Sequence, residues 1–199
     1  FNTATVGEDF YTYEGGRTDF LGFDDGKRGL PAAFPAKNKF EGTSPQQKID
    51  LFNGLNTSWE VNTGAAPVNS SLQLTGGINS RLFGKDFGGT IGVTYNRSYR
   101  NLGFVNRFTT FQNNTGSTLL DYSNNKYSSD VLWGGLANFT VKFDNNNKLS
   151  FKNLFSINNT DYTTLRTGSN FEDRESITAR ELGFRTNTFY NSQLLGEHH

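Results

Sequence analysis

The chain has 199 residues, no Cys, no Met, two His at its extreme C-terminus and a formal net charge of zero. Balanced charge gives no attraction to a polyanion, which leaves a nucleic-acid partner without support. The absence of Cys excludes disulfides, thiolate metal sites and thiol catalysis, and two terminal imidazoles leave little for zinc or acid-base chemistry. Hydrophobic residues make up only 34%, yet there are 19 Phe, 8 Tyr and 22 Gly, and such a mix, rich also in Asn and Thr, favours pleated strands and turns. A primary translation product begins with Met, so the chain reads as processed or as an internal piece of a longer one. Its apolar stretches are far shorter than the roughly 20 residues of a membrane helix, and it opens on no signal peptide.

Composition changes near residue 56. Residues 1 to 43 are dense in Gly, Asp and Pro, with the turn dipeptides Gly15-Gly16, Asp25-Gly26 and Leu30-Pro31, and read as ordered loop with short strands. Ser44-Pro45-Gln46-Gln47 forms a capping-box pattern ahead of Ile49, Leu51 and Phe52, which predicts a short helix at about 45 to 54.

From residue 69 the period is two. Leu72, Leu74, Gly76, Ile78 and Leu82 share one phase; after Gly84-Lys85-Asp86, so do Ile91, Val93, Tyr95 and Tyr99. A third run places Val131, Trp133, Ala137, Phe139, Val141 and Phe143 together. Beyond the turn Asp144-Asn145-Asn146-Asn147, a fourth groups Leu149, Phe151, Phe155 and Ile157. A fifth has Leu182, Phe184 and Tyr190 against Glu181, Arg185 and Asn187. Alternation sustained over such lengths predicts strands, because successive side chains point to opposite faces.

Strands of soluble sandwiches run about 5 to 6 residues, whereas a strand crossing a membrane needs about 9 to 11. The joints are also unequal by composition: short turns at 84 to 86 and 144 to 147, and long polar connections near 110 to 128 and 164 to 176. This is the pattern of an outer-membrane β-barrel, with tight periplasmic turns and longer outward loops. Phe83, Phe87, Phe143 and Phe151 near the short turns, with Tyr95, Tyr99 and Trp133 toward the other strand ends, fit aromatic girdles at the two interfaces. A soluble sheet built from good strand residues is the alternative. Five strands cannot close a membrane barrel, since bacterial barrels start at eight and open edges in lipid are costly. Further strands are therefore expected from a longer polypeptide or another chain.

The segment Asp9-Phe10-Tyr11-Thr12-Tyr13-Glu14-Gly15-Gly16, followed by Asp19-Phe20-Leu21-Gly22-Phe23-Asp24-Asp25-Gly26-Lys27-Arg28-Gly29-Leu30-Pro31, resembles the end of the plug region in Bacteroidetes TonB-dependent outer-membrane receptors of the SusC or carboxypeptidase-regulatory-like type. Asn56-Thr57-Ser58-Trp59, Ala66-Pro67 and Leu82-Phe83-Gly84-Lys85 look like the entry into the first barrel strands of that family, and Leu194-Leu195-Gly196-Glu197-His198 is similar to a strand found a few hairpins later. The resemblance implies the end of a plug domain at 1–55 and the first strands of a barrel at 56–199. It also implies localisation in a Gram-negative outer membrane, contact with its lipid, and energised uptake of a scarce nutrient such as a siderophore, a cofactor, or a glycan or peptide. The TonB partner would engage a part of the protein outside this segment, and a surface lipoprotein or another outer-membrane complex is a further implied partner. A receptor-like barrel that serves as a structural or assembly component without transport is the runner-up, and a secreted sandwich binding glycans through Tyr and Trp is a third reading.

Candidate sites are few. Asp19, Asp24 and Asp25 near Gly26 suggest either a cation site, whose spacing matches known calcium loops poorly, or turn chemistry with the carboxylates bonding local amides, and the turn is the better reading. Glu172, Asp173 and Glu175 beside Arg174 read as a solvated cluster. Glu181, Arg185, Lys142 and Arg81 fall on polar faces where they could line a lumen, while Arg97 shares the apolar phase and is placed near the interface, where it can snorkel. Sequons occur at Asn56, Asn69, Asn96, Asn114, Asn138 and Asn159, as chance allows in an Asn- and Thr-rich chain. His198 and His199 are assigned no function. No nucleophile with a base, metal constellation or phosphate loop is evident, so no catalytic, cofactor-binding or metal residue is named, no cofactor is implied and an enzyme is the least supported class.

Overall fold

The computed structural model describes residues 2–3, 9–55, 58–112 and 115–198. Five long antiparallel strands form a meander: β4 (Ser70–Leu82), β5 (Lys85–Gln112), β6 (Thr115–Lys142), β7 (Asn147–Asn170) and β8 (Glu175–His198), each paired with the next. Ahead of them, β1 (Asn2–Thr3) pairs with β5 beyond the start of β4, and β2 (Asp9–Thr12) pairs with β3 (Asn62–Ala65) in a separate two-stranded ribbon. A 3₁₀ turn at Asp19–Leu21 and the helices α1 (Lys37–Phe40) and α2 (Pro45–Asn53) lie between β2 and β3. Because β3 belongs with β2, the main sheet resumes only at Ser70. No described helix is long and apolar enough to cross a membrane.

Helix α2 starts where the capping box places it. The Gln47 amide donates to Ser44 Oγ at 3.3 Å, and the Ser44 amide donates to Gln47 Oε1 at 3.1 Å. Pro45 occupies the first turn, where its missing N–H costs nothing. Phe52 meets Phe34 and Phe40, with ring centroids 6.2 Å apart in each case.

All five alternating runs lie in strands, save Phe143 just past the end of β6, and the strands extend beyond the runs. β5 and β6 each have 28 residues, and β7 and β8 each have 24; at about 3.3 Å per residue the longest extend roughly 90 Å. The segments near 110 to 128 and 164 to 176, expected as long loops, are mostly ladder. Asn106 faces Tyr122, Arg107 faces Asp121, Thr110 faces Ser117, and Arg166 lies between Asn124 and Ala179. The strand signal fades there because both faces carry polar side chains, while the backbone bonds that hold the ladder continue regardless of side-chain type. The expected contrast between short and long joints is therefore lost. Leu194–His198 is the end of β8, the fifth strand of the meander, paired with the start of β7.

Pairing keeps one register over nearly the whole sheet, with a shift between Phe108 and Thr109 that leaves Leu119 unpaired on β6. The Leu119 carbonyl accepts instead from the Phe171 amide at 2.7 Å, in the turn between β7 and β8.

Directly opposed residues share a face, so the register sorts the side chains. Leu72, Leu74, Ile78, Phe87, Ile91, Val93, Phe139, Val141, Leu149, Phe151 and Leu194 fall on one side. Tyr95, Tyr99, Val131, Trp133 and Ile157 continue that side away from the short turns. The other side carries mostly Thr, Ser, Asn, Lys and Gly, with scattered Leu132, Leu136, Leu154 and Phe189. The apolar side is divided by level. Near the short turns it is bare, with Leu72, Leu74, Ile78, Ile91, Val93, Phe151 and Leu194 all exposed, whereas Val131 and Ile157 are fully buried under the N-terminal segment. The ladder extension carries a direct test: amides of residues 102–107 and 121–126 should exchange slowly in hydrogen–deuterium exchange, at rates like those of residues 131–138 and unlike those of a loop.

Candidate functional site

The N-terminal layer meets the sheet in a built seam. Three consecutive carbonyls of the 3₁₀ turn each accept a side-chain donor from a different strand: Phe20 from Tyr95 Oη on β5 at 2.8 Å, Leu21 from Trp133 Nε1 on β6 at 2.7 Å, and Gly22 from Thr186 Oγ1 on β8 at 2.8 Å. Strand β7 supplies the floor. Gly22 has φ +77°, and a Cβ there would fall 2.9 Å from Asn159 Cβ and 3.0 Å from Ile157 Cγ2, so the positive φ and the close approach both require glycine. Tyr95 and Trp133, expected in an interfacial girdle, are half-buried here, with the phenol and the indole N–H each meeting a polar partner. Around them Phe23 packs edge-on to Trp133 at 5.8 Å, and Phe10 packs edge-on to Tyr99 and Tyr127 at 5.6 Å.

Beside the turn, Arg28 ties the layer together. Its Nη1 and Nη2 donate to the two carboxylate oxygens of Asp19 at 2.8 and 2.6 Å, and its Nε donates to Tyr13 Oη at 3.0 Å. The guanidinium lies 4.1 Å from the Phe184 ring on β8 and 3.8 Å from Asp161 Oδ2 on β7. Burial opposes its charge, but Asp19 and Tyr13 outweigh that and hold it above its ordinary value. Burial first, then the Asp161 charge, push the Tyr13 hydroxyl up, so it stays neutral.

The carboxylates at 19, 24 and 25 are used within the turn. Asp19 Oδ2 accepts the Gly16 amide at 2.8 Å; Asp25 accepts the Arg17 amide at 2.8 Å and the Lys27 amide at 3.1 Å; Asp24 accepts the Gly26 amide at 3.3 Å. Those amides hold the Asp25 carboxyl below the usual carboxylate range. Its contribution is present above that range and lost as pH falls through the lowered value. This is the turn reading of the cluster. Arg28 was missed in the sequence, although its place four residues after Asp24 was a signal for an ion pair, and that contact is 3.4 Å.

The other candidates scatter. Glu172 and Asp173 lie in the turn after β7, where their amides donate to Asn170 Oδ1, and Glu175 begins β8. Arg81 pairs with Asp86 at 3.5 Å near Lys142, and Glu181 accepts from Tyr162 Oη at 2.8 Å; with Arg185, these lie on the polar face as expected. Arg97 Nε donates to Ser129 Oγ at 3.4 Å, and its guanidinium sits 5.1 Å from the Tyr99 ring. Asn159 is fully buried and donates to Thr186 Oγ1 at 2.9 Å, which closes it to a glycan. Asn69 accepts the Tyr99 amide at 2.8 Å, and Asn96 and Asn138 lie within strands. Asn56, Asn114 and His199 lie outside the described residues, and His198 contacts Asn147 Oδ1 at 2.7 Å.

Loosening this seam has graded costs. Trp133→Phe, which leaves the Leu21 carbonyl without its donor, should cost about 1–2 kcal/mol. Arg28→Met, which leaves Asp19 uncompensated, should cost about 3 kcal/mol. Both are measured by denaturant titration, with faster proteolysis within residues 13–30 as the local readout. Compared with family models, curated proteins and solved structures, the chain matches none.

Proposed function

We propose that this chain is part of a receptor-like β-barrel of the outer membrane, of the TonB-dependent type, and that the whole protein imports a scarce nutrient using energy delivered by TonB. The observation that supports the membrane reading is the bare apolar belt. From Leu72 to Leu82 on β4, and from Phe87 to Val93 alongside it on β5, one face is apolar and largely uncovered, the β4 stretch matching the roughly 9–11 residues a tilted strand uses to cross the hydrocarbon. The opposite face at that level presents Thr90, Thr94, Asn138, Ser150 and Lys152, as a wet interior would. The reading needs further strands to pair the free edges of β4 and β8, since unpaired edges are not tolerated in lipid. The uptake role rests on the resemblance of residues 9–31 to a plug end.

The docked layer modifies the plug expectation. It covers the apolar face just above the belt, not the polar face that would line a lumen. In the membrane reading it therefore stands outside the hydrocarbon, on the part of the sheet that projects beyond it. The same docking favours a second reading, in which the whole apolar face is internal to a layered β-protein with no membrane role.

The two readings differ at single positions. Since the chain lacks Cys, Phe139→Cys and Asn138→Cys can each carry an environment-sensitive fluorophore in protein folded into lipid vesicles. The membrane reading expects a blue-shifted signal, quenched by lipid-chain quenchers, at 139 and a water-like one at 138. A position 139 that lipid quenchers do not reach supports the layered reading. Phe139→Arg should further cost about 2–4 kcal/mol in vesicles.

A further inference from the structure

The polar face, opposite the docked layer, holds a groove of about 400 Å³ across strands β5 to β8, within the range of small-molecule sites. Register builds it. Arg100, Ser128, Tyr162 and Gly183 stand in one row, and Lys126, Thr160 and Arg185 lie one step to either side. Gly183 makes room for the Tyr162 ring, which a Cβ at 183 would strike. The ring is fixed on both sides: its hydroxyl donates to Glu181 at the rim at 2.8 Å, and Lys126 Nζ sits 3.7 Å from its centroid.

The charges in this groove are unevenly used. Arg100 is committed to Asp130, with its Nε and Nη2 donating to Oδ2 at 2.8 and 2.7 Å. Asp130 also accepts Thr160 Oγ1 at 2.7 Å and Ser128 Oγ at 3.4 Å, which fills its capacity. Lys126 and Arg185 make no ion pair among the described residues, and Arg185 is exposed. Two cations in no ion pair among the described residues thus line the groove, one of them against its aromatic ring. The Ser128 and Thr160 hydroxyls, having donated to Asp130, keep lone pairs that can only accept.

We propose that this groove binds a small anionic sugar, with its oxyanion between Lys126 and Arg185 and its hydroxyls donating to Ser128 and Thr160. Cationic donors on an oxyanion give the stronger, charge-assisted bonds, and the acceptor hydroxyls select a hydroxylated body over a bare anion. A carboxylate and a phosphate monoester present the same chemistry to the two cations. The proposal holds on either reading of the sheet's surroundings.

The test is calorimetric titration of the full chain at low salt, where charge contacts are least screened, with glucuronate, glucose 6-phosphate, glucose and inorganic phosphate as probes. One or both anionic sugars should bind saturably, glucose and phosphate each about tenfold or more weakly. Lys126→Gln and Arg185→Gln should each weaken binding about tenfold, while Arg107→Gln, which removes a cation paired with Asp121 outside the groove, leaves it unchanged. Whichever sugar binds better identifies the oxyanion. Failure of both to bind, phosphate binding as tightly as the sugars, or an equal loss in Arg107→Gln overturns the proposal. Circular dichroism identical to the parent's confirms that each variant tested is folded.

Discussion

Three carbonyls in a row decide how this molecule is put together. A strand offers its own carbonyls to its neighbours in the sheet, but those of Phe20, Leu21 and Gly22 sit at the end of a one-turn helix and have no ladder to join. Tyr95, Trp133 and Thr186 reach them from three different strands. The seam therefore measures the spacing of the sheet as well as its chemistry. Strand β7, which gives no hydrogen bond to these carbonyls, gives a flat approach at Ile157 and Asn159 that only a glycine can meet. Arg28 acts behind this contact, gathering Asp19 and Tyr13 so that the turn arrives at the sheet already shaped.

Much of the architecture was legible because its signals were local. The box of Ser44 and Gln47 starts α2 through bonds spanning three residues, and alternation such as Ile91, Val93, Tyr95 marks a strand wherever one side is apolar. Where Asn124, Lys126 and Arg166 make both sides polar, the same backbone ladder leaves no trace in the pattern. Alternation also gives a period without a direction. It groups Tyr95, Trp133 and Ile157 with Phe139 and Phe151, but it does not say whether lipid, protein or water lies beyond them. That depends on contacts between residues 75 or more positions apart, such as Tyr95 with Phe20. Arg28 was hidden for the same reason: of its partners only Asp24 is a sequence neighbour at helical spacing, and the strongest contacts are to Asp19 and Tyr13.

The two faces carry different kinds of capacity. On the apolar face the carbonyls of the turn are matched, although buried Asn101 Oδ1, Asn159 Oδ1, Asp161 Oδ1 and Thr163 Oγ1 near the seam have no hydrogen-bond partner among the described residues, and toward the short turns what is bare is hydrocarbon. On the polar face the matching is left incomplete at Lys126 and Arg185, beside a ring held in place from both sides. The two faces belong to the same strands, so the register that seats the N-terminal layer on one side also sets the spacing of the cations on the other.

The bond from the Phe171 amide to the Leu119 carbonyl carries the β6–β7 ladder one residue past its last pair, Leu120 with Asn170. Beyond it, among the described residues, the β5–β6 hairpin goes on alone, with Thr109–Gln112 paired to Thr115–Thr118. The extra residue on β6 therefore sits at the root of a two-stranded ribbon, the point where a load on its tip passes into the full width of the sheet.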